Sequence, residues 1–159
     1  MFPLRRVLSI IHNPLLRTQG NRKLNQVLGW NDPDVLMQRY IQDVREASLA
    51  YAQFEIVERI DVDGFPIKAD GFRYTEESFL RCWRARSGFH QPDLVDYHAL
   101  LDEFGVIRKI NSDAIDEVWL FGFPYAGYYE SIMAGPGAFW CNAPPLGGAS
   151  RAGTSPAPT

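Results

Sequence analysis

Three short apolar runs decide what this chain can fold into. Residues 6–12, 54–62 and 118–121 are rich in Val, Ile and Leu. Each is too short for a core helix and is closed by turn residues, which is how buried strands read. Asn13-Pro14 ends the first, Asp63-Gly64 the second and Gly122 the third. Helical periodicity fills the spaces between them. Strand, helix, strand, two helices, strand predicts an α/β fold of three layers, with a small, mostly parallel sheet and helical crossovers. Right-handed crossovers would bring all three strand ends to one edge. That edge would carry His12 and Asn13, the turn region 62–72 and the loop from Gly122.

The helices have ordinary start and stop signals. Asp32 caps the first, Pro33 suits its first position and Asp34 lies at the positive end of the dipole. Leu36, Tyr40, Val44, Ala47 and Tyr51 recur every three or four residues and predict one buried stripe, with the helix ending near Ala52. Thr75-Glu76-Glu77 opens a second helix with Phe79, Leu80 and Trp83 inside and Gly88 at its end. Pro92-Asp93 opens a third, on which Tyr97, Leu100, Leu101 and Phe104 form the inner face and Gly105 takes the C′ position. His98 and Asp102 share its outer face. Residues 15–30 read as loop with room for one helical turn, and 107–116 as a polar connector. From 146 to 159 the composition falls to Gly, Ala, Ser and Pro, which predicts a disordered tail behind a single domain of residues 1–145.

Composition excludes some functions. A chain of 159 residues, 46% hydrophobic and 13% aromatic, can bury a true core. A net charge of -3 argues against nucleic-acid binding by phosphate neutralisation. Arg81, Arg84 and Arg86 around Trp83 therefore read as a solvated helix edge. No apolar run is long enough to span a membrane. Arg5-Arg6 before residues 7–11 imitates a signal sequence, but the run is too short and His12-Asn13-Pro14 follows it. Cys82 and Cys141 fit neither a metal set nor a disulfide framework, leaving one disulfide or two thiols as alternatives.

No phosphate loop, dinucleotide fingerprint, nucleophile elbow or zinc-protease motif occurs, so no cofactor is named. Asp61, Asp63 and Asp70 lack the spacing of a calcium loop and read as turn acids. What remains is residues 117–142, where a strand runs into a loop dense in aromatics and glycine. Glu130 is the carboxylate in that loop. Poor hydration there would raise its proton affinity and suit acid/base work, whereas loop amides donating to it would make it structural. His12, at the end of the first strand, is the second catalytic candidate. Together they are too few for a catalytic zinc, so no metal is expected. Cys141 offers a nucleophile only if His12 folds against it. Tyr125, Tyr128, Tyr129 and Trp140 present flat faces with polar tips, suited either to a ligand or to capping the sheet.

Residues 95–101 (VDYHALL), 117–122 (EVWLFG), Tyr128-Tyr129-Glu130-Ser131 and 135–142 (GPGAFWCN) give the chain a likeness. It resembles a group of uncharacterised, mostly bacterial proteins, many with the look of exported proteins. The resemblance spans residues 6–145 and implies no activity. Members continue past the segment matching Pro144-Pro145, which implies that this chain is a C-terminally truncated version. Three expectations follow: a hydrolase-like domain with Glu130 as acid/base and His12 assisting, a non-catalytic glycan- or peptide-binding module, or an inactive fragment. The expected partner is a small molecule, glycan or peptide, with no nucleic acid and no membrane span. Oligomeric state and compartment stay open.

Overall fold

A computed structural model describes residues 4–147. Strand β1 (Leu4–His12) runs into a small antiparallel pair, β2 (Leu15–Leu16) and β3 (Arg22–Lys23), and then the short helix α1 (Leu24–Leu28). Helix α2 (Pro33–Ala47) leads to β4 (Gln53–Val62). Helices α3 (Glu76–Ala85), α4 (Tyr97–Glu103) and α5 (Val106–Asn111) precede β5 (Glu117–Phe121).

β1 is the centre of a parallel three-stranded sheet in the order β4-β1-β5. Its residues 7 to 11 are enclosed on both faces, which explains the unbroken apolar run. Register pairs His12 with Val62 and Ile11 with Phe121, so the carboxyl ends of all three strands meet, as expected. Arg6 and Asp116 clamp the entry of β5 to β1. The Asp116 carboxylate accepts from the Arg6 backbone N–H at 2.8 Å and from its guanidinium at 2.9 and 3.1 Å.

Alternation along β1 sorts the two faces. Leu8 and Ile10 point into a cluster with Val95, Tyr97, Leu100, Val106 and Ile115, the layer of α4 and α5. The opposite face carries α2, whose Tyr40 ring meets Phe54 and Trp119 and whose Asp34 pairs with Arg59 at 2.7 Å. The α/β three-layer reading therefore holds. A second core sits at the carboxyl end of the sheet, where α3 brings Phe79 against Phe65, Tyr74 and Phe123 at 5.1–5.5 Å between ring centres.

The structure corrects several local expectations. The expected stripe on α2 is not buried: Leu36, Tyr40 and Ala47 are exposed and Val44 is half-buried, and the enclosed residue of the helix is Met37. The helix stops at Ala47, and Leu49 and Ala50 turn the chain with positive φ, leaving Tyr51 exposed. Its start is as read, with Asp32 accepting from the Asp34 and Val35 amides. Thr75 caps α3 in a reciprocal box with Ser78, but α3 ends on Arg86 in a left-handed conformation rather than at Gly88. α4 begins at Tyr97 because Asp96 accepts from the Ala99 amide, four residues after the expected Pro92-Asp93 start. The connector after Gly105 contains α5, anchored by buried Val106. Leu146, placed in the expected tail, packs with the α4–α5 cluster and donates its amide to Met133. The rest of that tail, residues 148–159, lies outside the described residues.

Candidate functional site

β1 connects to β4 through α2 on one face, and β4 returns past β1 to β5 through α4–α5 on the other. The gap between the carboxyl ends of β1 and β5 is therefore a topological switch point, the place where open α/β sheets bind ligands. His12 stands there, only 5% exposed. Its Nδ1 lies 2.6 Å from the Tyr128 hydroxyl, so the loop after β5 folds back onto β1 as the strand geometry requires. Gly122 makes that return passable, since a Cβ at this position would come within 2.6 Å of the Tyr128 ring.

This contact fixes the state of the imidazole. Burial, assisted by the charge of Arg73, lowers the His12 pKa to about 4, so the ring is neutral near pH 7. Burial also pushes the Tyr128 phenol upward, and it keeps its proton. That hydroxyl has no other partner among the described residues, so its proton points at Nδ1 and the imidazole proton sits on Nε2. Nε2 has no hydrogen-bond partner among the described residues. It is not sealed in either: the one enclosed, unpartnered side-chain oxygen or nitrogen among them is Ser9 Oγ.

His12 borders two clefts. The larger, about 50 Å³, is bordered by Asn13, Asn25, Trp30, Asn31, Leu36 and Phe121, and none of its lining side chains is charged. Asn13 donates to Asn25 Oδ1 at 2.9 Å and accepts the Asn25 backbone N–H at 3.2 Å, and Asn25 Nδ2 donates to the Asn31 carbonyl at 3.5 Å, so each side-chain amide keeps one N–H without a partner among the described residues. On the α4–α5 side, where alternation along β1 puts the His12 ring 6.4 Å from Phe104, a smaller gap of about 10 Å³ is bordered by Arg73 and Glu103.

A buried lysine holds the frame. Lys68 is fully enclosed, and its ammonium donates to Asp93 Oδ1 at 2.6 Å and to the Tyr125 carbonyl at 2.7 Å. It thereby ties the loop after β5 to the segments before α3 and α4. Gly127 completes the knot with φ +91, where a Cβ would meet Lys68 Nζ at 2.7 Å and the Val95 amide at 2.9 Å. Sequence reasoning passed over this residue. Its only signal was a lone lysine among the apolar residues 65–69.

The other candidates separate. Glu130 is exposed and accepts from Asn142 Nδ2 at 3.1 Å, so the poorly hydrated setting expected for it is absent. Its hydrogen bond to Asn142, rather than to His12, reflects its place on the outer limb of the loop. Tyr125 stacks on Phe89 at 3.5 Å, and Tyr129 lies parallel to Tyr97 at 6.2 Å. Trp140 is 66% exposed. The aromatic loop thus has two halves: Phe123, Ala126 and Tyr128 help close the sheet, whereas Tyr129, Phe139 and Trp140 face outward. Both cysteines are free thiols; Cys82 donates to the Gly88 carbonyl and Cys141 sits 3.2 Å from Ser131 Oγ. No three His, Cys, Asp or Glu side chains converge on a metal position among the described residues, and no described helix is long and apolar enough to cross a membrane.

No family model, curated protein or solved structure matches this chain. The geometry at the switch point is what bears on function.

Proposed function

We propose that this chain is a binding domain that takes a small neutral group, carbonyl-bearing and of amide type, into the cleft beside His12. The observation that carries the reading is an uncharged cleft at the switch point to which Asn13 and Asn25 each bring an N–H without a partner among the described residues. An unpaired N–H in such surroundings favours any ligand that brings an acceptor. Leu24, Trp30 and Phe121 supply an apolar wall. A cleft without charged lining disfavours anions. Its volume fits one functional group, so a larger glycan or peptide would enter by one end only. The exposure of Glu130 removes the main argument for a hydrolase built on that carboxylate.

Titrating the labelled protein with N-methylacetamide, with methyl glucoside and with acetate tests this by amide and imidazole chemical shifts. Saturable shifts at His12, Asn13, Asn25 and Gly122 are expected with N-methylacetamide, weaker ones with the glucoside and weakest with acetate. Asn13→Asp, which replaces the donor amide by a carboxylate, should abolish them and Glu130→Gln should leave them unchanged. Shifts scattered over the surface, or untouched by Asn13→Asp, would refute the reading.

A further inference from the structure

Helix α2 packs closest to β4, where Asp34 holds Arg59. From there the Tyr40 ring reaches across the sheet, 6.5 Å from Phe54 of β4 and 5.1 Å from Trp119 of β5. Alternation along β5 puts Phe121 on the same face as Trp119, and both are half-buried. One turn before Tyr40, Leu36 borders the cleft beside His12, and Phe121 borders it too. Leu36, Phe121, Tyr40 and Trp119 therefore make one apolar strip that begins at the cleft. It is about 6–7 Å long, the span of one helical turn or of two strand residues. Trp119 already donates its indole N–H to Glu117 at 3.2 Å, so what it adds to the strip is ring surface.

Size decides what can cover this strip. Tyr40 and Leu36 are 53% and 42% exposed, and with their half-buried neighbours they show roughly 200–300 Å². A stable protein partner takes ~800 Å² from each side, so four side chains are too few for one. They are enough for part of a small molecule. The cleft, at about 50 Å³, holds a head group alone, and the rest of any ligand has to leave it. Of the large apolar residues on its border, Leu36 is the exposed one, so an apolar arm leaves past Leu36 and onto the strip.

We infer that the ligand is an aliphatic amide, its carbonyl held at Asn13 and Asn25 and its unbranched alkyl chain laid between Leu36 and Phe121 toward Tyr40 and Trp119. The inference rests on the amide reading of the cleft and narrows it from any neutral amide to one with a hydrocarbon arm. Covering the strip removes apolar surface from water, which is the gain that the chain brings.

Two series of amides, titrated into the labelled protein and read by chemical shift, test the inference. One lengthens the chain on nitrogen, from N-methylacetamide to N-butylacetamide, and the other lengthens it on the carbonyl carbon, from acetamide to pentanamide. Affinity should rise about two- to fourfold for each added methylene in one series, which identifies the end of the amide that faces the strip. Shifts should spread from Asn13 and Asn25 to Leu36, Tyr40 and the Trp119 indole. Tyr40→Ser, at an exposed helix position away from the cleft border, should remove most of the gain, with circular dichroism checking its fold. The series on the unaltered chain decides alone if that variant unfolds. Affinity level with chain length in both series, while N-methylacetamide still binds, would overturn the inference and leave the amide reading standing. A gain that a folded Tyr40→Ser retains would overturn it as well, and a failure of every amide to bind would overturn both.

Discussion

Lowering the pH from 7 to 5 charges His12 in the unfolded chain but not in the folded one. Unfolded, the imidazole titrates near 6.5; folded, burial and Arg73 hold it at about 4. Above pH 6.5 the ring is neutral in both states and pH has no leverage through it. Below that value only the unfolded chain takes the proton, so stability falls until the folded pKa is passed. Integrating between the two values gives a loss of about 2 kcal/mol at pH 5 and about 3 kcal/mol by pH 4. Asp116, held at about 2 by Arg6, adds its own loss only below the ordinary carboxylate range, outside this window. Urea unfolding at pH 7, 6 and 5 should therefore show the midpoint falling by about 1 M over that range. His12→Asn keeps an acceptor for Tyr128 and has nothing to titrate, so its midpoint should be flatter by the same amount. Imidazole shifts followed through the same range should place the His12 titration near 4. Parallel losses in the two proteins, or a His12 titration near 6.5, would refute the reasoning.

Lys68→Met removes the cation under the β5 loop and leaves Asp93 and the Tyr125 carbonyl without their donor, so unfolding free energy should drop by about 3–5 kcal/mol in denaturant melts. Gly127→Ala should cost at least about 1–3 kcal/mol, because the added methyl meets backbone at Val95 in a left-handed conformation. Asp32→Ala should cost about 1 kcal/mol through two uncapped amides of α2, read in the same melts. Tyr128→Phe should cost about 1–2 kcal/mol and release Nδ1, which nitrogen-detected spectra of His12 would report as a mixture of tautomers.

The parallel sheet was legible because β1 is enclosed on both sides and wrote its burial into an unbroken apolar run. The caps at Asp32 and Thr75 were legible because each acts within four residues of itself. α5 was missed because six residues show less than two turns of period, and Gly105 both ends α4 and starts α5. The orientation of α2 failed for a different reason. Its apolar arc is real, but periodicity cannot say how wide a support lies beneath it, and the three strands present cover only one side. Glu130 misled because crowding by aromatics in sequence is not crowding in space: Tyr128 and Tyr129, adjacent in the chain, turn to His12 and Tyr97 respectively. Lys68 was invisible because its partners stand 25 and 57 residues away.

The segment from Ser131 to Leu146 closes on itself at its base. Leu146 bonds back to Met133 and bridges Ala134, and Ser131 holds the Cys141 carbonyl at 3.1 Å, while Phe139 and Trp140 ride at the tip in solvent. A loop pinned below its crown tolerates exchange of that crown. A tag, a label or a foreign epitope spliced between Gly137 and Trp140 should leave the melting curve where it was. Trp140, the best hydrated indole of the four, then becomes the natural optical reporter for anything that docks on that side of the molecule.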